Sequence, residues 1–204
     1  MENAKNLGIE MEIRKNLTFL SEKDWFKNLF VYANGTLLKS KVNVLSPWEW
    51  INNPETQDAE RVQQRYPNQD RPLMGQSPWL LNLGVGYWGE FFGVTASYNH
   101  RGYRTNIANV KLANVEYELA PKQLDAQLYA RFFKGKMELK FNMANLLDDW
   151  TRYYMNIHDY ETDDNKLDVL KKGKSIKYNK EEGDIITYRR RDGQRFSLSV
   201  SYNF

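Results

Sequence analysis

Cysteine is absent from this 204-residue chain, and histidine nearly so, with His100 and His158 alone. The first absence excludes disulfides and thiolate metal sites and leaves the redox compartment open. The second removes any paired-histidine metal motif, and both histidines are expected in surface positions close to loops. No apolar run approaches the roughly 18 residues of a membrane-spanning helix. Neither sign of charge prevails: 29 Lys and Arg face 26 Asp and Glu, a net +3, and no basic stripe invites nucleic acid. A glycine-rich phosphate loop and a nucleophile elbow are also missing, so neither an enzyme nor a cofactor is expected. Asp148, Asp149, Asp159, Asp163 and Asp164 lack the central glycine and closing glutamate of a calcium loop. A solvated loop without metal is expected there. The opening stretch MENAKNLGIEMEIRK has no basic segment, apolar core or cleavage site, and is not read as a signal peptide. Taken alone, that would leave the chain in the cytoplasm.

Aromatic residues, by contrast, are plentiful at 14%, with 13 Tyr, 10 Phe and 6 Trp. This favours β-structure rich in amphipathic rings. At the end of the chain, Phe196, Leu198, Val200, Tyr202 and Phe204 share one face of a strand, and Ser197, Ser199, Ser201 and Asn203 the other. The same period of two predicts strands over residues 7–13, 29–38, 81–87, 92–99, 124–132 and 137–143. Over 29–38 both faces are apolar and the phase is ambiguous. The polar faces carry Asp125, Arg131, Glu138 and Lys140 in mid-strand, as a wet barrel lumen requires. A soluble antiparallel sheet with one solvated face gives the same period.

Connection lengths separate the two. Joins at 20–27, 88–90 and 133–136 are short; those at 39–77, 100–123 and 147–195 are long, and the two kinds alternate. Outer-membrane barrels have short periplasmic turns and long extracellular loops. Unstructured connections of that length are uncommon in compact soluble domains. The expected fold class is all-β: an antiparallel meander of about seven transmembrane strands, part of a larger outer-membrane β-barrel. The 147–195 connection holds as many acidic as basic residues and is expected as a solvated outer surface. The alternation also places the carboxyl terminus on the periplasmic side.

Four stretches together carry a family resemblance: residues 8–14 (GIEMEIR), 75–82 (GQSPWLLN), 142–148 (NMANLLD) followed by Tyr153 and Tyr154, and 193–204 (GQRFSLSVSYNF). In this order and spacing the chain resembles the carboxyl-terminal part of a TonB-dependent outer-membrane receptor, of the outer-membrane β-barrel family. The resemblance covers essentially the whole sequence. It implies a barrel of about 22 strands with a plugged lumen, the plug being an amino-terminal domain that contacts TonB. Residues 1–204 would then form the C-terminal barrel segment, with plug domain and signal peptide absent, located in the cell outer membrane. Phe204, with Phe196, Leu198, Val200 and Tyr202, resembles the signal read by the barrel-assembly machinery.

The implied partners are outer-membrane lipid, that machinery, the remainder of the receptor barrel and plug, and TonB only through the missing plug. The implied function is import of a nutrient such as a siderophore–iron complex or glycan. Trp48, Trp50 and Tyr66 in the 39–77 connection are candidates for stacking on such a ligand, and Trp48 and Trp50 equally for anchoring at the membrane interface. The alternative is a small self-contained outer-membrane barrel acting as an adhesin, structural protein or hydrolase. An eighth strand hidden in residues 184–190 would favour it.

Overall fold

The computed structural model describes residues 4–43, 45, 48–52, 58–62, 71–164 and 168–204. Its strands are β1 (Ala4–Asn16), β2 (Leu29–Val42), β3 (Glu49–Asn52), β4 (Ala59–Val62), β5 (Trp79–Trp88), β6 (Phe92–Arg101), β7 (Arg104–Ile107) and β8 (Glu116–Leu119). There follow β9 (Gln123–Phe132), β10 (Met137–Ala144), β11 (Thr151–Met155), β12 (Tyr160–Thr162), β13 (Asp168–Leu170), β14 (Ile185–Arg190) and β15 (Arg195–Tyr202). The chain is all-β. Among the described residues no helix is long and apolar enough to cross a membrane.

Seven strands form one sheet in the order β1-β2-β5-β6-β9-β10-β15, every pair antiparallel. These are the seven stretches that the alternation predicts, in a meander. The register shows why. Ile13, Ala33, Leu83, Tyr98 and Leu124 stand side by side on one face. One residue along, Glu12, Asn34, Asn82, Asn99 and Gln123 make the corresponding row on the other face. A slip of one residue in any strand would exchange the two rows, so the pattern specifies the pairing.

The ambiguous phase of β2 is settled by its neighbour. Leu29, Val31, Ala33 and Leu37 join the apolar face, while Phe30 and Tyr32 fall on the polar one. They fit there because β5 places Gly86 and Gly84 opposite them; a Cβ on either glycine would overlap the facing ring. Tyr129 covers Gly93 in the same way. Each ring fills the space that a strand glycine leaves. Between these rings the polar face is laced by cross-strand bonds. Asn34 Nδ2 donates to Glu10 Oε1 at 2.9 Å, Asn82 Nδ2 to Asn34 Oδ1 at 3.3 Å, and Asn142 Nδ2 to Ser197 Oγ at 3.2 Å.

This sheet has no packed core. Its apolar face lies bare, with Leu7 75% and Leu198 66% exposed. β1 and β15 are not paired with each other, so the sheet is open. Glycines aside, the buried side chains among the described residues gather at one end, in a cap made by the three long connections. There β14-β11-β8-β7 form a second sheet around a cluster of Leu112, Val115, Tyr117, Tyr154 and Tyr160. The Tyr117 and Tyr154 rings lie 5.6 Å apart, and Tyr154 Oη donates to the Ile176 carbonyl at 2.9 Å. Burial holds both phenols well above their ordinary pKa.

Several expectations need correction or refinement. The long connections carry strands of their own among the described residues: β3–β4 and β12–β13 each pair within one connection, and β8 of the second pairs with β11 of the third, setting Tyr153 opposite Glu118. The aspartates are not all solvated: Asp159 is fully buried, with Lys174 Nζ 3.6 Å away as its counter-charge. Residues 184–190 do contain a strand, β14, but it pairs with β11 in the cap and adds nothing to the main sheet. His158 is exposed as expected; His100 instead belongs to β6, partly buried with its ring edge-on to Trp79 at 5.0 Å.

Candidate functional site

The cap is held to the sheet by the turn after β10. Asn145 and Asp148 take left-handed backbone conformations, φ 57° and 46°, which Asn and Asp tolerate better than most residues. This aims both side chains at the start of β15. Asn145 Nδ2 donates to the Gly193 carbonyl at 2.8 Å, and the Gly193 amide donates to Asp148 Oδ1 at 3.1 Å. Two of the stretches that carry the family resemblance therefore clasp one another. Asp149 joins the second and third connections by accepting from the Lys122 amide at 3.1 Å and the Trp150 amide at 2.7 Å. Burial raises its carboxyl pKa, but these amides and Arg152 more than offset that and hold it below the ordinary value.

Between cap and polar face lies a cleft of about 450 Å³. Its floor is the amide row of the sheet: Asn82 of β5, Asn99 of β6 and Gln123 of β9. Its wall follows from the chain path. Arg101 ends β6 on the polar phase, opposite Leu80. The chain then turns through Gly102 and Tyr103, and β7 sets Arg104 opposite Glu118 of β8. Glu118, only 4% exposed, accepts from Arg101 Nη2 at 2.5 Å and from Arg104 Nε at 3.1 Å and Nη2 at 2.7 Å. A carboxylate so buried requires such partners. At the rim, Arg190 pairs with Asp192 at 2.9 Å, and Tyr153 stacks on Tyr188 at 5.7 Å.

The charge on this lining is uneven. Three guanidiniums face the cleft against two carboxylates. Since Arg190 and Asp192 answer each other, the excess resides on Arg101 and Arg104, which share Glu118 alone. Their remaining N–H groups are available to a ligand.

The residues singled out from sequence lie elsewhere. Trp50 sits in the β3–β4 hairpin, 71% exposed, and Trp48 just before it is 55% exposed with the Arg61 guanidinium 5.2 Å above its ring. Neither lines the cleft; Tyr66 lies outside the described residues. Phe196, Leu198, Val200 and Tyr202 occupy the bare face of β15, opposite to the cleft floor, and Tyr202 meets Phe204 edge-on at 5.1 Å. Sequence reasoning passed over Arg101, Arg104 and Glu118. The available signal was the alternation of Val115, Tyr117 and Leu119 with Glu116 and Glu118, a short strand inside what reads as a loop. No family model matches the chain, and no curated protein or solved structure is significantly similar to it.

Proposed function

We propose that this chain is the carboxyl-terminal barrel segment of a TonB-dependent outer-membrane receptor. It would reside in the cell outer membrane and serve import of a nutrient such as a siderophore–iron complex or glycan. The bare apolar face carries this reading. A soluble protein rarely exposes so large an apolar patch, whereas a barrel presents one to lipid and turns residues such as Arg131, Glu138 and Lys140 toward a wet lumen. Ten-residue strands such as β5 rise about 3.3 Å per residue, and a tilt of about 40° projects that length to an apolar band about 25 Å high. Tyr87–Phe92 and Tyr202–Phe204 at the turn end, and Phe141–Phe196 toward the cap end, suit the two aromatic girdles.

Strand direction adds a second argument. Six antiparallel pairings make β1 and β15 run the same way, so they are unsuited to closing on each other antiparallel. An open edge in lipid costs several kcal/mol for each unsatisfied group. An odd number of further strands closes the sheet, which favours a segment of a larger barrel over a self-contained one. The remaining strands and plug are then its partners, TonB acts only through the plug, and the assembly machinery acts on β15.

The cysteine-free sequence offers a direct test. Leu198→Cys and Ser199→Cys place thiols on adjacent residues of opposite faces in the chain reconstituted in lipid vesicles. A water-soluble maleimide is expected to label position 199 and spare position 198, and a fluorophore at 198 is expected to be quenched by brominated lipid. Equal labelling at both positions in vesicles where circular dichroism shows the strands formed would refute the membrane reading; the dichroism is needed because the unpaired edges of β1 and β15 weigh against folding of this segment alone.

A further inference from the structure

The geometry points to an acidic saccharide as the ligand of the cleft between sheet and cap, its carboxylate held by Arg101 and Arg104 and its hydroxyls by the amide floor. The inference takes from the receptor reading only what the ligand is for; binding itself is measurable without transport. The first argument is charge. Glu118 answers one of the two guanidiniums that it touches, and the next acid of the lining, Asp192, is engaged by Arg190. A planar guanidinium fork matches a carboxylate in two-point contact.

The second argument is the floor. Asn82 gives one N–H of its amide to Asn34, and the Gln123 amide donates to both carboxylate oxygens of Asp125. Among the described residues neither side-chain carbonyl oxygen receives a hydrogen bond, so both can accept from hydroxyls. Asn99 stands between them in the same row and offers both a donor and an acceptor. A bare phosphate would satisfy the arginines and leave these acceptors unmatched. An iron chelate made only of acceptor oxygens would leave them unmatched too. A volume of about 450 Å³ suits a mono- or disaccharide, within the usual range for small-ligand sites. Tyr153, on the rim, offers an aromatic face and a hydroxyl to a sugar ring.

The test titrates the full chain in detergent micelles with a glucuronic-acid disaccharide, its neutral glucose counterpart and inorganic phosphate, by calorimetry. The acidic disaccharide is expected to bind roughly tenfold or more tightly than either control, the ratio that a charged hydrogen-bonding pair supplies. Its affinity should fall as salt rises. Glu118→Gln keeps the shape of the wall and removes a competing carboxylate, so it should tighten the acidic ligand and leave the neutral one unmoved. A purely structural role for the Arg–Glu–Arg group predicts lost stability and no gain in affinity. Arg190→Gln and Asp192→Asn repeat the comparison on the exposed rim, where folding is not at stake; the first should weaken acidic binding about threefold and the second strengthen it.

Acidic and neutral sugars binding alike, or rim variants that move neither, would overturn the proposal. Phosphate binding as tightly as the acidic sugar would overturn the saccharide assignment. Acidic-sugar binding by a chain that fails the vesicle labelling would keep this site and remove the receptor reading; labelling without binding would do the reverse.

Discussion

Tyr32 of β2 covers Gly84 of β5 so closely that a single methyl group on the glycine would overlap the ring. The two residues are directly paired, so neither can shift without its strand. Gly84→Ala is expected to lower the stability of the sheet by about 1–3 kcal/mol, the usual cost of overfilling a packed position. Tyr32→Ala in the same chain should recover much of that loss, because it removes the atoms in conflict. Urea midpoints of the two single variants and the double variant check this; strictly additive losses would mean that the ring does not occupy the glycine's place.

Val200 and Ser201 are neighbours on β15 at nearly the same height, on opposite faces. On the proposed reading, Val200→Lys puts a charge into lipid and costs up to about 2–4 kcal/mol, less toward the interface. Ser201→Lys puts it into the lumen beside Glu138, its partner in register, and should be nearly neutral. Folding titrations into lipid vesicles measure both. Equal costs would argue for a face buried in protein or exposed to water.

Phe204 lies beyond the end of β15, fully exposed and in contact with Tyr202. It is remote from the cleft, which opens at the other end of the sheet. On the proposed reading, in the full-length receptor, Phe204→Ala should reduce the folded protein that reaches the outer membrane, while each inserted molecule binds ligand with unchanged affinity. Heat-modifiable gel mobility measures the first quantity and per-molecule binding the second. Normal abundance with weakened binding would contradict the assignment of this residue to assembly.

The cap should open in alkali. Burial raises the phenol pKa values of Tyr103, Tyr117, Tyr154 and Tyr160 above the ordinary value of 10.0. The folded cap thus favours their neutral form. Its contribution to stability is complete below about pH 10 and is lost as pH rises above that value. Phenolate absorbance should show these tyrosines ionising late and together, in step with protease sensitivity of the cap. Early ionisation of all 13 tyrosines with the cap intact would contradict the burial described for Tyr117 and Tyr154.

The seven long strands were legible because a period of two is a local property. Leu198 and Ser199 report opposite faces without reference to anything distant. The phase of β2 was not legible from its own residues, since Phe30 and Tyr32 look apolar until Gly84 and Gly86 of another strand are set against them. The cap was hidden for the same reason on a larger scale. Its strands run three to six residues, too few for periodicity to speak, and its decisive contacts join separate connections. Arg101 and Glu118 look like ordinary loop charges in sequence; only the path through β7 and β8 brings them within hydrogen-bonding distance.

Each long connection leaves one strand and returns on the next strand of the sheet: β2 to β5, β6 to β9, β10 to β15. The anchoring points of the cap are therefore fixed by the ladder, while the segments between them are not. A residue inserted on the surface of the cap is therefore expected to lengthen a connection without shifting the register of the seven-stranded sheet. The wall residues Arg104 and Glu118 lie between such anchors, whereas the floor residues Asn82, Asn99 and Gln123 belong to the ladder itself, so the frame supplies one half of the cleft and the connections the other.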